Sequence, residues 1–323
     1  MATEVAIGTG APLTRCSRWW TISRMSVSRA LVLSGGGGRG AYQAGVWAWL
    51  EEQSWKPDLI SGSSVGAING AAIASGMPAE RLKALWQSVD NKQMFRRRRW
   101  RNFLHWVKRL FGHAQGFAPL FETSQLRDLL TQTLDVAAVR ASKTELVVTA
   151  VRIVDAAVRY FEGRQIGIEH IMASSAIPLV FPWEEIDGDA YWDGGLAANT
   201  PLLPAIERGA REAVVVLFVP VAHGLSALPA TRKQAIEWIF EVSTLASAES
   251  VVSLLLALHE RAPLAEARFR KGPIVLGQTR LLPVAPAQPL GLHSLLHFDP
   301  KQTAMLFDAG YDDARDQLSH LIG

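Results

Sequence analysis

The chain has 323 residues, 49% of them apolar, which excludes a disordered protein and suits one α/β domain or two smaller ones. A single cysteine, Cys16, excludes an internal disulfide framework or a thiolate zinc site and fits a reducing compartment. Thirty-three basic and 30 acidic residues leave a net charge of +3, too balanced for a protein that coats nucleic acid, and apolar runs of about ten residues fall short of the roughly 18–20 that span a bilayer.

Residues 1–24 carry neither a hydrophobic period nor the apolar stretch of a secretory signal, and read as an unstructured tail. Met25 is a second candidate start, five residues before a strand-like run, so one folded domain is expected over residues 25–323. From Arg29 onward, short apolar runs alternate with helical stretches, the pattern of βα units around a mostly parallel sheet. No internal repeat is visible.

The first unit is a strand over 30–33, then Ser34-Gly35-Gly36-Gly37-Gly38-Arg39-Gly40, then a helix over 39–53. Consecutive glycines allow several backbone N–H groups to point one way, which suits an anion or a developing oxyanion. Gly35, Gly37 and Gly40 also match G-x-G-x-x-G spacing, with Asp58 the nearest plausible acid and no Walker lysine. A nucleotide loop, an oxyanion loop and a plain turn all remain open on these residues alone.

The second unit is a strand over 58–60 and a small-residue helix over 65–75, joined by Gly62-Ser63-Ser64-Val65-Gly66. A G-x-S-x-G between strand and helix forces its serine outward at a helix N-terminus, where partial positive charge favours an alkoxide-like transition state. The alternative is a glycine-rich turn with a capping serine.

A helix over 80–89 precedes a stretch unlike the rest of the chain. Residues 91–112 hold eight Lys or Arg and no acid, including Arg96-Arg97-Arg98-Arg99, with Trp100, Phe103 and Trp106 among the aromatics. Read as a basic amphipathic helix, this segment suits docking on an anionic bilayer surface; a core-packing helix with a solvated basic face is the other reading, and nothing else in the chain supports a nucleic-acid partner.

Further on, helices are expected over 124–133 and 168–176 and strands over 145–154, 158–162 and 213–219. Asp193-Gly194-Gly195, followed by Asn199-Thr200-Pro201, is by itself an ordinary turn signal. A helix in one or two pieces is expected over 231–260 and a last one over 300–321. Residues 281–289 hold three prolines and are expected to form an extended connection.

Taken in order, the glycine loop, the serine elbow and D-G-G resemble the patatin-like phospholipases. Gly35 to Gly40 meet that family's G-G-G-x-R/K-G, Gly62 to Gly66 its elbow, and Asp193 to Gly195 its D-G-G/A. Ala173-Ser174-Ser175-Ala176-Ile177-Pro178, Phe181-Pro182, Asn199, Pro201, Phe298-Asp299-Pro300 and Gly310-Tyr311 extend the similarity across residues 30–321. The resemblance implies a three-layer α/β/α fold and hydrolysis of phospholipid, lysophospholipid or related lipid esters by a serine–aspartate dyad. Ser64 would be the nucleophile and Asp193 the general base. Gly36 and Gly37, helped by Gly38 and Arg39, would hold the oxyanion, with no metal or organic cofactor. The implied setting is cytoplasmic with peripheral membrane contact. Two rivals remain: a Ser-His-Asp esterase, with His223, His259, His293, His297 or His320 as its histidine, and a non-catalytic lipid-binding protein.

Overall fold

The computed structural model describes residues 27–90, 96–97, 119–220, 230–231, 246, 274–276, 278–288, 290 and 297–322. In chain order the strands are β1 (Arg29–Leu33), β2 (Leu59–Ser63), β3 (Arg96–Arg97), β4 (Phe121–Glu122), β5 (Glu145–Arg152), β6 (Ala157–Glu162), β7 (Glu184–Ile186), β8 (Asp189–Asp193), β9 (Glu212–Val216), β10 (Ile274–Leu276) and β11 (Thr279–Val284). The α-helices are α1 (Gly40–Glu52), α2 (Val65–Ala74), α3 (Ala79–Ser88), α4 (Ser124–Thr133), α5 (Val136–Ala141), α6 (Ile168–Ser174), α7 (Leu203–Glu207) and α8 (Pro300–Leu318). The expected tail over 1–24 and most of the expected helix over 231–260 lie outside the described residues.

The main sheet runs β10-β11-β9-β1-β2-β5-β8-β7, with β6 also paired to β5. Its centre is parallel: β11, β9, β1, β2 and β5 run the same way. Strands buried on both faces read as continuous apolar runs, and β1 shows how they divide. Leu31 and Leu33 join the core formed with α1, α2, α3 and α8, while Ala30 and Val32 join a second core with Ala205 of α7. Helices on both faces of a mostly parallel sheet make this the expected α/β architecture.

The approach of α1 to α8 depends on two glycines. A Cβ on Gly45 would lie 2.0 Å from the Phe307 carbonyl oxygen, and one on Gly310 2.0 Å from that of Tyr42. The two backbones are in contact, and Tyr42, fully buried, donates its hydroxyl to Asp313 across the same interface at 2.9 Å. Asp299 caps α8 by accepting the Lys301 and Gln302 N–H groups at 3.0 and 3.1 Å, with Pro300 at the first helical position.

Two expectations are corrected here. Within the proline-rich 281–289, residues up to Val284 belong to β11, between β9 and β10, instead of an extended connection. Pro283 is accepted because alternate residues bond to β9: Arg280 N–H donates to the Arg211 carbonyl and the Val284 carbonyl accepts from Leu217 N–H. Position 283 therefore directs its missing N–H to the other edge, past the end of β10, whose last pair is Ile274 with Leu281. In the basic segment, Arg96–Arg97 form a strand rather than helix, antiparallel to β4, with Arg96 opposite Glu122, a register that sets a basic residue across from an acidic one. The β7–β8 hairpin was not anticipated. It turns at Asp187 and Gly188, both at positive φ (51° and 84°), as a two-residue primed turn requires.

Candidate active site

The elbow is built by close approach. A Cβ on Gly62 would lie 2.4 Å from the Gly66 carbonyl oxygen, and one on Gly66 2.2 Å from that of Leu33, so neither position admits a side chain. Between them Ser64 takes φ 54° and ψ −125°, a conformation that costs a non-glycine residue ~1–3 kcal/mol and that the surrounding packing must enforce. Ser63 ends β2, Val65 begins α2, and Ser64 faces the N-terminus of that helix with only 6% of its surface exposed.

The acid arrives by a different route. β5 has two edges. One carries β6 over Arg152 to Val147; the other carries β2 up to the pair Ser63–Thr149 and then β8 from the pair Asp193–Ala150. Thus β2 and β8 run head to head along the same edge of β5, and each ends where the other does. The chain leaves the edge at both ends, which brings Ser64 and Asp193 together although 129 positions separate them: Ser64 Oγ donates to Asp193 Oδ2 at 2.7 Å.

Asp193 is buried, and its other oxygen, Oδ1, accepts the Gly195 N–H at 2.7 Å. Loss of hydration raises its pKa to about 7, and the bonds from Ser64 and Gly195 only partly oppose the rise. Gly194 leaves room for this turn, since a Cβ there would lie 2.4 Å from the Thr149 carbonyl oxygen.

The glycine loop packs directly on the elbow; a Cβ on Gly35 would lie 2.5 Å from Asn199 Oδ1 and 3.1 Å from Ser64 Cβ. Asn199 brackets Gly35, its carbonyl accepting the Gly35 N–H at 3.0 Å and its Nδ2 donating to the Gly35 carbonyl at 3.1 Å. Gly37 stands at φ 55°, open to glycine at little cost. The loop then closes in a short 3₁₀ turn, with Arg39 and Gly40 N–H groups bonded to the carbonyls of Gly36 and Gly37. Among the described residues no backbone acceptor meets the N–H groups of Gly36, Gly37 or Gly38. Arg39 is buried at 3% exposure.

A polar network of Gln43, Asn69 and Trp86, which sequence reasoning passed over, holds the glycine loop in place. Gln43 Nε2 donates to the Ser34 carbonyl at 2.7 Å, Asn69 Nδ2 to Gln43 Oε1 and to the Gly40 carbonyl at 2.9 Å each, and Trp86 Nε1 to Asn69 Oδ1 at 2.9 Å. This buried network ties the glycine loop to α1, α2 and α3. On the acid's side, Ser174 Oγ accepts the Ser64 N–H at 2.9 Å and the Ala176 carbonyl accepts the Asp193 N–H at 3.0 Å. Ser174 at the end of α6 and Ala176 just beyond it thereby hold the backbone of both residues.

A family profile described as patatin-like phospholipase matches residues 31–206, more than half of the chain. The chain belongs to the patatin-like phospholipase family. It is 28% identical over 186 residues to the cGAMP-activated phospholipase of Pseudomonas aeruginosa, covering 53% of this chain and 53% of that protein. The cGAMP-activated phospholipase of Vibrio cholerae is 26% identical over 198 residues, 54% and 55% of the two chains. YjjU of Escherichia coli is 28% identical over 270 residues, 82% of this chain and 70% of that protein. The chain thus spans about half the length of the two cGAMP-activated phospholipases. Among solved structures, VipD from Legionella pneumophila aligns with a TM-score of 0.49 at 16% identity, over 91% of this chain and 67% of that one.

The patatin-like phospholipase motifs converge at one place: the loop at Gly35 to Gly40, the elbow at Gly62 to Gly66, and Asp193 to Gly195. Of the residues expected to dock on a membrane, Arg98, Arg99, Trp100, Phe103 and Trp106 lie outside the described residues, and Arg96 and Arg97 are described by their backbone alone. Among the described residues no helix is long and apolar enough to cross a membrane.

Proposed function

We propose that this patatin-like phospholipase is a lipid acyl hydrolase working through a Ser64–Asp193 dyad. The observation that carries the reading is the direct 2.7 Å bond from Ser64 Oγ to Asp193 Oδ2. A Ser-His-Asp triad inserts an imidazole between hydroxyl and carboxylate, and a direct bond leaves no room for one. His297 and His320, the described histidines that follow Asp193, are both exposed; His223, His259 and His293 lie outside the described residues.

In the first half-reaction the Ser64 proton passes to the Asp193 carboxylate as Oγ attacks the ester carbonyl carbon. The oxyanion is met by the N–H groups of Gly36, Gly37 and Gly38. The ester C–O bond then breaks, the departing alcohol takes the proton from Asp193, and the acyl group stays on Ser64. Water attacks the acyl-enzyme, its proton going to Asp193 and then to Ser64 as the fatty acid leaves. An ordinary carboxylate near pKa 4 is a poor base for this work, and a carboxylate raised to about 7 is a better one by roughly three orders of magnitude in proton affinity.

The substrate class proposed is an ester of a long-chain lipid, a phospholipid or lysophospholipid, as the family's membership suggests. The test sets phospholipids, lysophospholipids, triglycerides and short-chain nitrophenyl esters before wild type and Ser64→Ala, with a fluorophosphonate probe alongside. Wild type is expected to hydrolyse lipid esters and to be labelled, and Ser64→Ala to do neither. Equal labelling of both proteins, or full activity in Asp193→Asn, would sink the dyad.

A further inference from the structure

We infer that Asn199 is a positioning residue for ester hydrolysis: it joins the turn that carries the acid to the glycine loop, and so fixes where the oxyanion donors stand relative to Ser64 and Asp193. This inference rests on the lipid-hydrolase reading and adds the residue that sets its geometry. Gly35 and Asn199 are 164 positions apart, so nothing local in the chain sets one segment against the other.

Asn199 is buried, with 5% of its surface exposed, and it meets both segments. Towards the loop, its carbonyl accepts the Gly35 N–H at 3.0 Å and its Nδ2 donates to the Gly35 carbonyl at 3.1 Å. One residue thus takes both backbone polar groups of Gly35. Its amide oxygen lies 2.5 Å from where a Cβ on Gly35 would stand, and Ser64 Cβ lies 3.1 Å from the same point. Towards the acid, that amide oxygen lies 2.7 Å from where a Cβ on Gly195 would stand, with Asp193 Oδ1 at 3.0 Å from that point. The Asn199 amide therefore packs against the glycine beside Ser64 and against the glycine whose N–H holds Asp193.

The path back to the acid is short and hydrogen-bonded. From Asp193 the chain passes through the 3₁₀ turn Gly194–Leu196, and the Gly194 carbonyl accepts the Ala197 and Ala198 N–H groups at 3.2 and 2.8 Å. Asn199 follows at once. Next to it, Thr200 Oγ1 and Ser34 Oγ share a hydrogen bond at 2.8 Å, with both residues buried. Two consecutive residues thus hold Ser34 and Gly35, directly ahead of the N–H groups of Gly36, Gly37 and Gly38. An amide suits this place because it donates without charge. An aspartate would set a carboxylate oxygen against the Gly35 carbonyl and put negative charge beside the loop that receives the oxyanion.

The test measures kcat and KM on a soluble nitrophenyl ester for wild type, Asn199→Ala, Asn199→Asp and Thr200→Val, with Gly310→Ala at the α1–α8 contact as a variant that loses stability alone. Asn199→Ala should lower kcat by about 10–100-fold and leave KM within about twofold. It should weaken by the same factor the binding of a trifluoromethyl ketone, whose adduct with Ser64 carries an oxyanion, and leave that of a non-reacting ether analogue unchanged. Asn199→Asp should lower kcat further. Thr200→Val, which loses only the bond to Ser34, should lower kcat by about 3–10-fold and carries the test if Asn199→Ala does not fold. A fluorophosphonate probe should finally label every molecule of each variant, and Gly310→Ala should keep the wild-type kcat. In a wild type that hydrolyses the ester, unchanged kcat in the Asn199 and Thr200 variants would overturn the inference alone. So would a fall in kcat matched by an equal fall in the labelled fraction, since Asn199 would then serve folding only. A wild type that neither hydrolyses the ester nor takes the probe would overturn the hydrolase reading, and this inference with it.

Discussion

A carboxylate that serves as base must be ionised, and one sealed from water resists ionisation. Asp193, the proposed base, stands between these demands with a pKa of about 7. Its activity should therefore rise through about pH 7 and level off above, as kcat/KM across pH 5–9 would show. The same shift sets a stability effect of definite sign. The folded state binds this proton more tightly than the unfolded chain, where the pKa is about 3.9, so the group's contribution to stability is fully present below pH 4 and is lost as pH rises through about 7. The Asp193→Asn side chain is uncharged throughout and keeps an oxygen to accept the Gly195 N–H. This variant is thus expected to be inactive, to raise Tm at pH 8.5 and to leave it nearly unchanged at pH 4; an equal Tm change at both values would contradict the burial account. Ser174 offers a second test at this scale. Ser174→Ala leaves the Ser64 N–H without its acceptor, which should cost ~1–3 kcal/mol of stability. Ser64, no longer held, should lose about 10–100-fold in kcat, with KM and the pH midpoint in place because Asp193 is untouched.

At the scale of elements, what sequence could show was what is local. The elbow was legible because its glycines, serine, strand and helix are contiguous, and α8 because Asp299-Pro300 caps a long amphipathic run. β8 was not, since five residues with aspartate at both ends (Asp189–Asp193) carry little alternation, although the Asp187-Gly188 dipeptide that turns the hairpin was a readable signal. β11 was hidden by Pro283, whose acceptability depends on which edge its nitrogen faces. Gln43 and Asn69 sit on α1 and α2, which are buried almost throughout, so no amphipathic pattern marks them as a polar network. The α1–α8 contact gives the element-scale prediction. Gly310→Ala must drive its Cβ into the Tyr42 carbonyl, and urea unfolding should show a loss of about 1–3 kcal/mol or more.

For the whole molecule, the net charge of +3 conceals a division: residues 91–112 carry +8 and the first 30 residues +3, while the other 271 residues carry −8. The order of the fold was open to a reader of the chain because each βα unit announces itself locally. The meeting of Ser64 with Asp193 was not, because it depends on two strands sharing one edge of β5. That shared edge makes the Ser64–Asp193 pairing a matter of counting. Each residue along a strand advances about 3.3 Å and turns the side chain to the opposite face. One residue added or removed between the Asp187-Gly188 turn and Asp193 would carry the carboxylate off its mark and point it away from the serine. The hairpin is therefore the gauge of the proposed active site.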